Sequence, residues 1–401
     1  MNNERIKPYE RVQLFSGGGS RFGYYLGSYA ALAAHDLTPD IIVGTCGGSL
    51  SAYLVHLAPD PKHLQELMSS RELYRVITAI RHVAPEEASR RLKLRYMTSA
   101  LKRWRLSKLR GNGQRQQQTD SYERLLNELQ QLAMFRIDNE AEWLDELSQF
   151  ATSNNNNGSN DNSAAHKASP EIAIIASRLY QAPADDSFNT TLTLQELLFV
   201  PPRLANLQNS VLSLADEQMT SPAHTFANGR IHPSVKVQTQ WDFVSVVRAS
   251  MADMYYLPPT YITELGWCLG GVINLTPIEL ACQLAETVFA ETKAGYDSWL
   301  AAPAIQRVFG FDPNERLAQV HGYQSIKEPS HTTSKNRQLH WLPFTDNAQQ
   351  LIGQNVQKRF NLKQMTVELI HSDYDRFVQQ MQAQWQYGYQ RTTDYIQQHG
   401  L

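Results

Sequence analysis

The chain has 401 residues, enough to bury a large core, with 42% hydrophobic and 19% charged residues, an ordinary globular composition. A formal net charge of −2 gives no global pull toward nucleic acid or an anionic surface. Cys46, Cys268 and Cys282 are too sparse for a disulfide framework and lack metal-ligand spacing, so a reducing compartment and no cofactor are expected.

From the N-terminus, Met1 to Arg11 is polar and charged, which predicts no secretory leader, and no apolar run is long enough to span a bilayer. A cytoplasmic protein is therefore expected. Val12 to Phe15 reads as a short strand ending in Ser16-Gly17-Gly18-Gly19, and Tyr24 to Ala34 as a helix. Ile41 to Val43 is a second strand, ending in Gly44-Thr45-Cys46-Gly47-Gly48, and Leu50 to Leu57 a second helix. Strand, helix, strand and helix with short connections imply a parallel sheet with a crossover helix. Residues 1–60 and 170–330 are read as one α/β core, a three-layer sandwich around a mostly parallel sheet.

Residues 61–150 turn to long, charged, helix-forming segments, read as an insertion. Ten cations lie between Arg90 and Arg115 with no Asp or Glu among them, and Leu101, Trp104, Leu106 and Leu109 interleave. One reading is a basic amphipathic surface making peripheral contact with anionic headgroups through 90–115. The favoured one is a solvated face that pairs with acids such as those from Glu140 to Glu146. Residues 151–169, rich in Asn and Ser, read as a flexible loop. The sheet pattern returns at Glu171 to Ala176 and Thr287 to Ala290, with apolar segments at Phe243 to Ala249 and Trp267 to Ile273. Thr276-Pro277-Ile278-Glu279 predicts a helix start capped by Thr276. Residues 331–401 read as a C-terminal helical segment, with a capping box from Ser372 to Asp375.

Two glycine clusters carry the chemistry. Gly44-Thr45-Cys46-Gly47-Gly48, between a strand and a helix, has the form of a nucleophile elbow with cysteine as the nucleophile. Small residues are needed on both sides of so sharp a turn, and the helix N-terminus is expected to lower the thiol pKa. Gly17, Gly18 and Gly19 allow backbone N–H groups to converge on an anion or oxyanion, joined by that of Gly47. Nucleotide-binding glycine motifs are not met.

Taken together, these boxes resemble the patatin-like phospholipases. That family carries [DS]-G-G-G-x-[RK]-G, then G-x-S-x-G, then an R-A-S…P segment and D-G-G-V-x-N-x-x-P. Here the matching residues are Ser16 to Arg21, Gly44 to Gly48, Val247 to Ser250 with Leu257-Pro258-Pro259, and Leu269 to Pro277. The departures fall on catalytic elements: Cys46 stands for the serine, Leu269 for the dyad aspartate, and Phe22 for a glycine. Arg21, Leu269 and Gly270 are expected to line the site. Cysteine needs a base less than serine does, and loss of a carboxylate removes a neighbour that raises a thiol pKa, so Cys46 and Leu269 read as matched changes. No replacement base is selected among His232, His56, Glu264 and Asp253. Cys268 adjoins Leu269, but strand alternation argues against a bridge to Cys46.

The resemblance implies an acyl hydrolase or acyltransferase acting on a lipid or thioester substrate through an acyl-thioester on Cys46. The alternative is an inactive homologue that binds lipid, regulates or serves as a scaffold. No nucleic acid partner is expected.

Overall fold

The two apolar runs beside the glycine clusters lie side by side at the centre of a nine-stranded sheet. β1 (Tyr9–Ser16) and β2 (Ile41–Thr45) pair in parallel, with Val12 opposite Ile41 and Ser16 opposite Thr45. α1 (Gly23–Ala34) crosses between them, and α2 (Gly47–Leu57) leaves the end of β2. Val12, Leu14, Phe15 and Ile41 to Val43 are all buried, as expected of parallel strands covered on both faces.

The computed structural model describes residues 7–83, 126–127, 129–130, 133–150, 169–180, 193–205, 219–227, 229–298, 301–323, 338–361 and 366–401. After α3 (Pro61–Met68) and α4 (Arg71–Thr78), β3 (Ile80–His82) pairs with β4 (Phe135–Ile137) in a small antiparallel sheet. The main sheet resumes with β5 (Glu171–Tyr180), β6 (Thr193–Phe199) and β7 (Lys236–Gln238). α5 (Phe243–Met251) precedes β8 (Thr260–Ile262) and β9 (Gly266–Leu269), and α6 (Ile278–Leu284) precedes β10 (Ala285–Glu291). After α7 (Ala301–Phe309) and α8 (Pro313–His321) come β11 (Gln338–Leu342), the hairpin β12 (Gln357–Asn361) and β13 (Thr366–Ile370), and α9 (Tyr374–His399). The order β11-β10-β1-β2-β5-β6-β7 is parallel except at β5–β6, with β9 also antiparallel to β5 and β8 beyond it.

Alternate residues of each strand feed two apolar layers. Phe15, Ile42 and Ile174 join Leu26 of α1, Leu54 of α2 and Met381 of α9 on one face. Leu14, Val43 and Ile175 join Ile278 and Leu284 of α6 and Ile305 of α7 on the other. The expected three layers are present. α9 packs on α1 at backbone contact: a Cβ on Gly27 would lie 2.0 Å from the Trp385 carbonyl oxygen, and one on Gly388 1.9 Å from that of Tyr24.

Three expectations need correction. The segment from 331 is not helical throughout: β11 extends the main sheet beside β10, and among its described residues only α9 is a long helix. Five residues alternating toward a buried His340 and Leu342 are outweighed in the sequence by the Gln- and Tyr-rich composition around them. Asp373, not Ser372, caps α9, accepting from the Arg376 N–H. Thr276 makes no side-chain cap, and Pro277 occupies the cap position of α6. The basic stretch 90–115 and the Asn- and Ser-rich loop through 168 lie outside the described residues. Two of the acids expected to offset that stretch have partners elsewhere: Glu140 holds buried Arg248 at 2.6 Å, and Glu146 holds Arg75 at 2.6 Å.

Candidate active site

β1, β2 and β10 point the same way, so the turn after β1, the elbow after β2 and the residues after β10 meet at one edge, the usual place for a site in a parallel sheet. Cys46 occupies the turn between β2 and α2 with φ 50° and ψ −125°. This left-sided conformation costs a non-glycine residue of order 1–3 kcal/mol and persists only where neighbours enforce it. The Cys46 N–H donates to Ser250 Oγ at 2.9 Å, and Ser250 donates onward to the Ile175 carbonyl at 2.6 Å. The Cys46 carbonyl accepts from the Ser49 N–H at 2.9 Å. Glycines make the turn sterically possible: a Cβ on Gly48 would lie 1.8 Å from the Phe15 carbonyl oxygen, and one on Gly44 2.8 Å from Ser49 Cα.

The first glycine turn lies against the elbow. A Cβ on Gly17 would come within 3.0 Å of the Cys46 Cβ, and one on Gly47 within 2.8 Å of the Gly19 carbonyl oxygen. Gly17 and Gly19 have φ of 42° and 55°. Gly17 is not an oxyanion donor here, because its N–H is spent on the Phe15 carbonyl at 3.1 Å. Its own carbonyl accepts from Lys293 Nζ at 2.8 Å, and Lys293 pairs with Glu291 at 2.6 Å. Glu291, 1% exposed, also accepts from the Tyr24 hydroxyl at 2.6 Å and from the Tyr25 hydroxyl. This chain of buried bonds fixes the Gly17 turn from below.

Asp253, two residues beyond α5, faces the Cys46 thiol and the Val272 amide. It is 2% exposed, and the absence of a Cβ on Gly270 makes its room: such an atom would lie 1.5 Å from Asp253 Oδ1. Oδ1 has no hydrogen-bond partner among the described residues. Burial pushes the carboxyl up to about 7. Cys46 itself stays partly exposed, but its surroundings are mostly protein. Burial and then the Asp253 carboxylate raise the thiol well above its ordinary range, against smaller opposite pulls from the Gly47 N–H and the Lys293 ammonium.

The site therefore keeps a carboxylate, supplied from position 253 rather than 269. Leu269 is 1% exposed within the apolar layer. The reading of Cys46 and Leu269 as a matched loss of the acid fails, and so does the expectation of a thiol below its ordinary range: burial and a nearby anion outweigh the helix start. The other candidates lie elsewhere. His56 stacks on Phe243 at 4.2 Å, His232 bonds Ser234 Oγ at 2.7 Å, and Glu264 is exposed in the β8–β9 turn. Cys46, Cys268 and Cys282 form no disulfide. Phe22, in place of a glycine, is buried, and its carbonyl accepts from the Ser51 hydroxyl at 3.0 Å.

Lys293, Glu291 and Tyr296 were not found from the sequence. A carboxylate closing an apolar parallel strand, as Glu291 closes β10, was the available signal. Tyr296 feels the charges of Cys46, Asp253 and Glu291, and burial raises its phenol. No group of His, Cys, Asp and Glu suited to a metal ion occurs among the described residues, and none of their helices is long and apolar enough to cross a membrane.

Residues 14–282 match the family of patatin-like phospholipases. No curated protein matches the chain. The solved structure of VipD from Legionella pneumophila is similar over 98% of this chain and 68% of its own, with 11% identity and a TM-score of 0.34. The family rests on the sequence match across more than half of the chain, in agreement with the glycine turns, elbow and mostly parallel sheet described above. The chain belongs to the patatin-like phospholipase family, a family of lipid acyl hydrolases.

Proposed function

We propose that the protein is a lipid acyl hydrolase or acyltransferase in which Cys46 is the nucleophile and Asp253 its general base. The observation that carries this reading is the buried Asp253 carboxyl facing the thiol, with a pKa of about 7. A base works best when its pKa lies near the working pH. A drifted, inactive homologue has no use for a strained cysteine and a buried carboxylate oxygen without a partner, both of which cost stability.

In the first half-reaction the thiol proton passes to Asp253 as sulfur attacks the acyl carbonyl carbon. The Gly18, Gly19 and Gly47 N–H groups take the oxyanion. Collapse breaks the bond to the alcohol or thiol of the donor, which leaves with the proton from Asp253, and an acyl-thioester remains on Cys46. In the second half-reaction Asp253 takes a proton from water, or from another acceptor, as that group attacks. The thiolate leaves and regains the proton.

Lipid or acyl-thioester donors suit this chemistry. Sparse cysteines support a cytoplasmic site of action, and the basic stretch 90–115 supports peripheral membrane contact, tested by salt-sensitive vesicle binding of variants with alanine at Lys102 to Arg110. The activity is tested by intact-mass measurement after incubation with a p-nitrophenyl acyl ester, acyl-CoA or phospholipid. An acyl adduct on the wild type that is lost in Cys46→Ala supports the reading. No adduct and no turnover at any pH leaves the inactive lipid-binding alternative.

A further inference from the structure

Three consecutive glycines give the Gly17 turn little stiffness of its own, yet a donor to an oxyanion must be aimed before the charge develops. The Gly17–Gly18 peptide is trans, so its carbonyl and its N–H point in opposite directions. The carbonyl accepts from Lys293 Nζ at 2.8 Å, which turns the Gly18 N–H away from Lys293. That N–H makes no hydrogen bond to another main-chain atom among the described residues, and the turn that carries it lies against Cys46.

Lys293 is itself held on every side. Its side chain is 11% exposed and pairs with buried Glu291 at 2.6 Å. Glu291 accepts from Tyr24 and Tyr25 of α1, and the Lys293 N–H donates to His321 Nε2 at 3.1 Å. The far end of the turn is held from α9, where Gln384 accepts from the Gly23 N–H at 2.9 Å and donates to the Ser20 carbonyl at 3.2 Å. Both clamps come from beyond the family-matched residues 14–282. They differ in charge. A neutral amide is enough to tie a loop, and a buried ion pair adds little stability over an apolar pair. A cation on the Gly17 carbonyl does something further: it polarises the peptide and makes the Gly18 N–H a stronger donor.

We propose that Lys293 is a positioning residue of the acyl-transfer site, locking the Gly17–Gly18 peptide so that the Gly18 N–H faces the oxygen of the acyl group attacked by Cys46. Its effect on the reaction rests on the acyl-transfer reading, while the lock itself is separable. The first arm uses no turnover: amide hydrogen exchange of the peptide from Ser16 to Phe22, where the Gly17 N–H bonds the Phe15 carbonyl and the Arg21 N–H the Gly18 carbonyl. Lys293→Met should speed exchange there by about tenfold or more relative to α7, as local opening does, and Lys293→Arg should keep it slow. Because Lys293→Met leaves Glu291 unpaired, the double variant Lys293→Met with Glu291→Gln is measured beside it and should show the same loosening. A rise in both variants no larger than that in α7 overturns the lock. The second arm compares two reactions of Cys46 at one pH. Acylation by a p-nitrophenyl ester puts charge on a carbonyl oxygen, whereas alkylation by iodoacetamide displaces iodide at a saturated carbon and does not. A shifted thiol pKa or a general loss of structure moves both rates together. The ratio of acylation to alkylation should fall by about tenfold or more in the double variant, toward the loss of about 10²–10³ on removing an oxyanion donor. The fall should lie in kcat rather than KM, and Lys293→Arg should restore the ratio. Loosened exchange with an unchanged ratio overturns the role in the reaction. Absence of acylation of the wild type by every ester sinks the acyl-transfer reading and that role with it, and the exchange arm still decides the lock.

Discussion

The two glycine turns and the charged groups around them form one site, but they are built differently. The turns are backbone structures: Gly44, Gly47 and Gly48 are required because Phe15, Ser49 and Gly19 backbone atoms occupy the space of a side chain. The charged groups come from separate stretches, Asp253 after α5 and Lys293 after β10, and meet only through the fold. The turns fix where a reaction can occur, and the side chains fix which protons and charges are available. One member of the second set, the acid, stands at 253 while the turns keep their places.

Variants sharpen this contrast. The largest effect is expected from Asp253→Asn, which keeps the shape and removes the proposed base. Turnover should fall by about 10²–10⁴, and the rise of kcat/KM with pH, with an inflection near 7 in the wild type, should disappear. An unchanged pH–rate profile would break the assignment. The same variant bears on stability. Asp253 titrates near 3.8 unfolded and near 7 folded, so the folded chain holds an extra proton between those values. Stability from this group is full below about pH 4, falls as pH rises toward 7, and is level above it. The loss is at most about 4 kcal/mol, from about 1.4 kcal/mol per pH unit, and chemical denaturation across that range should show it in wild type and not in Asp253→Asn.

On the backbone side, Gly48→Ala places a methyl 1.8 Å from the Phe15 carbonyl oxygen. It should cost about 1–3 kcal/mol or more by overpacking, read as a lower melting temperature, whatever happens to the charged groups. Stability equal to wild type would mean that the turn is not held as described. The smallest effect is expected from Cys46→Ser. With Asp253 as the proposed base, the serine form should keep turnover within about tenfold, whereas a hydroxyl without a base is nearly inert.

What was legible in the sequence follows the same division. Close backbone approach forces glycine locally, so the spacing Gly17-Gly18-Gly19 and Gly44-x-Cys46-x-Gly48, with apolar runs before each, located both turns, the parallel pairing and the place of Cys46. Asp253 was in view but not selected. Nothing within the run Ala249 to Met254 says that its carboxyl reaches back across β5 to the elbow; that depends on Ser250 binding the Cys46 N–H and on the missing Cβ of Gly270. β11 was lost for a related reason, since its place at the sheet edge is set by β10 and not by its own five residues.

The central claim is that Cys46 and Asp253 titrate against each other. The most direct measurement is the rate of Cys46-specific iodoacetamide labelling across pH in wild type and Asp253→Asn, with Cys46→Ala as the blank. We expect slow wild-type labelling at neutral pH, an inflection above the ordinary thiol range, and a shift of that inflection downward in Asp253→Asn because an anion has been removed. A wild-type inflection well below the usual thiol value of about 8.5, unmoved in Asp253→Asn, would contradict it.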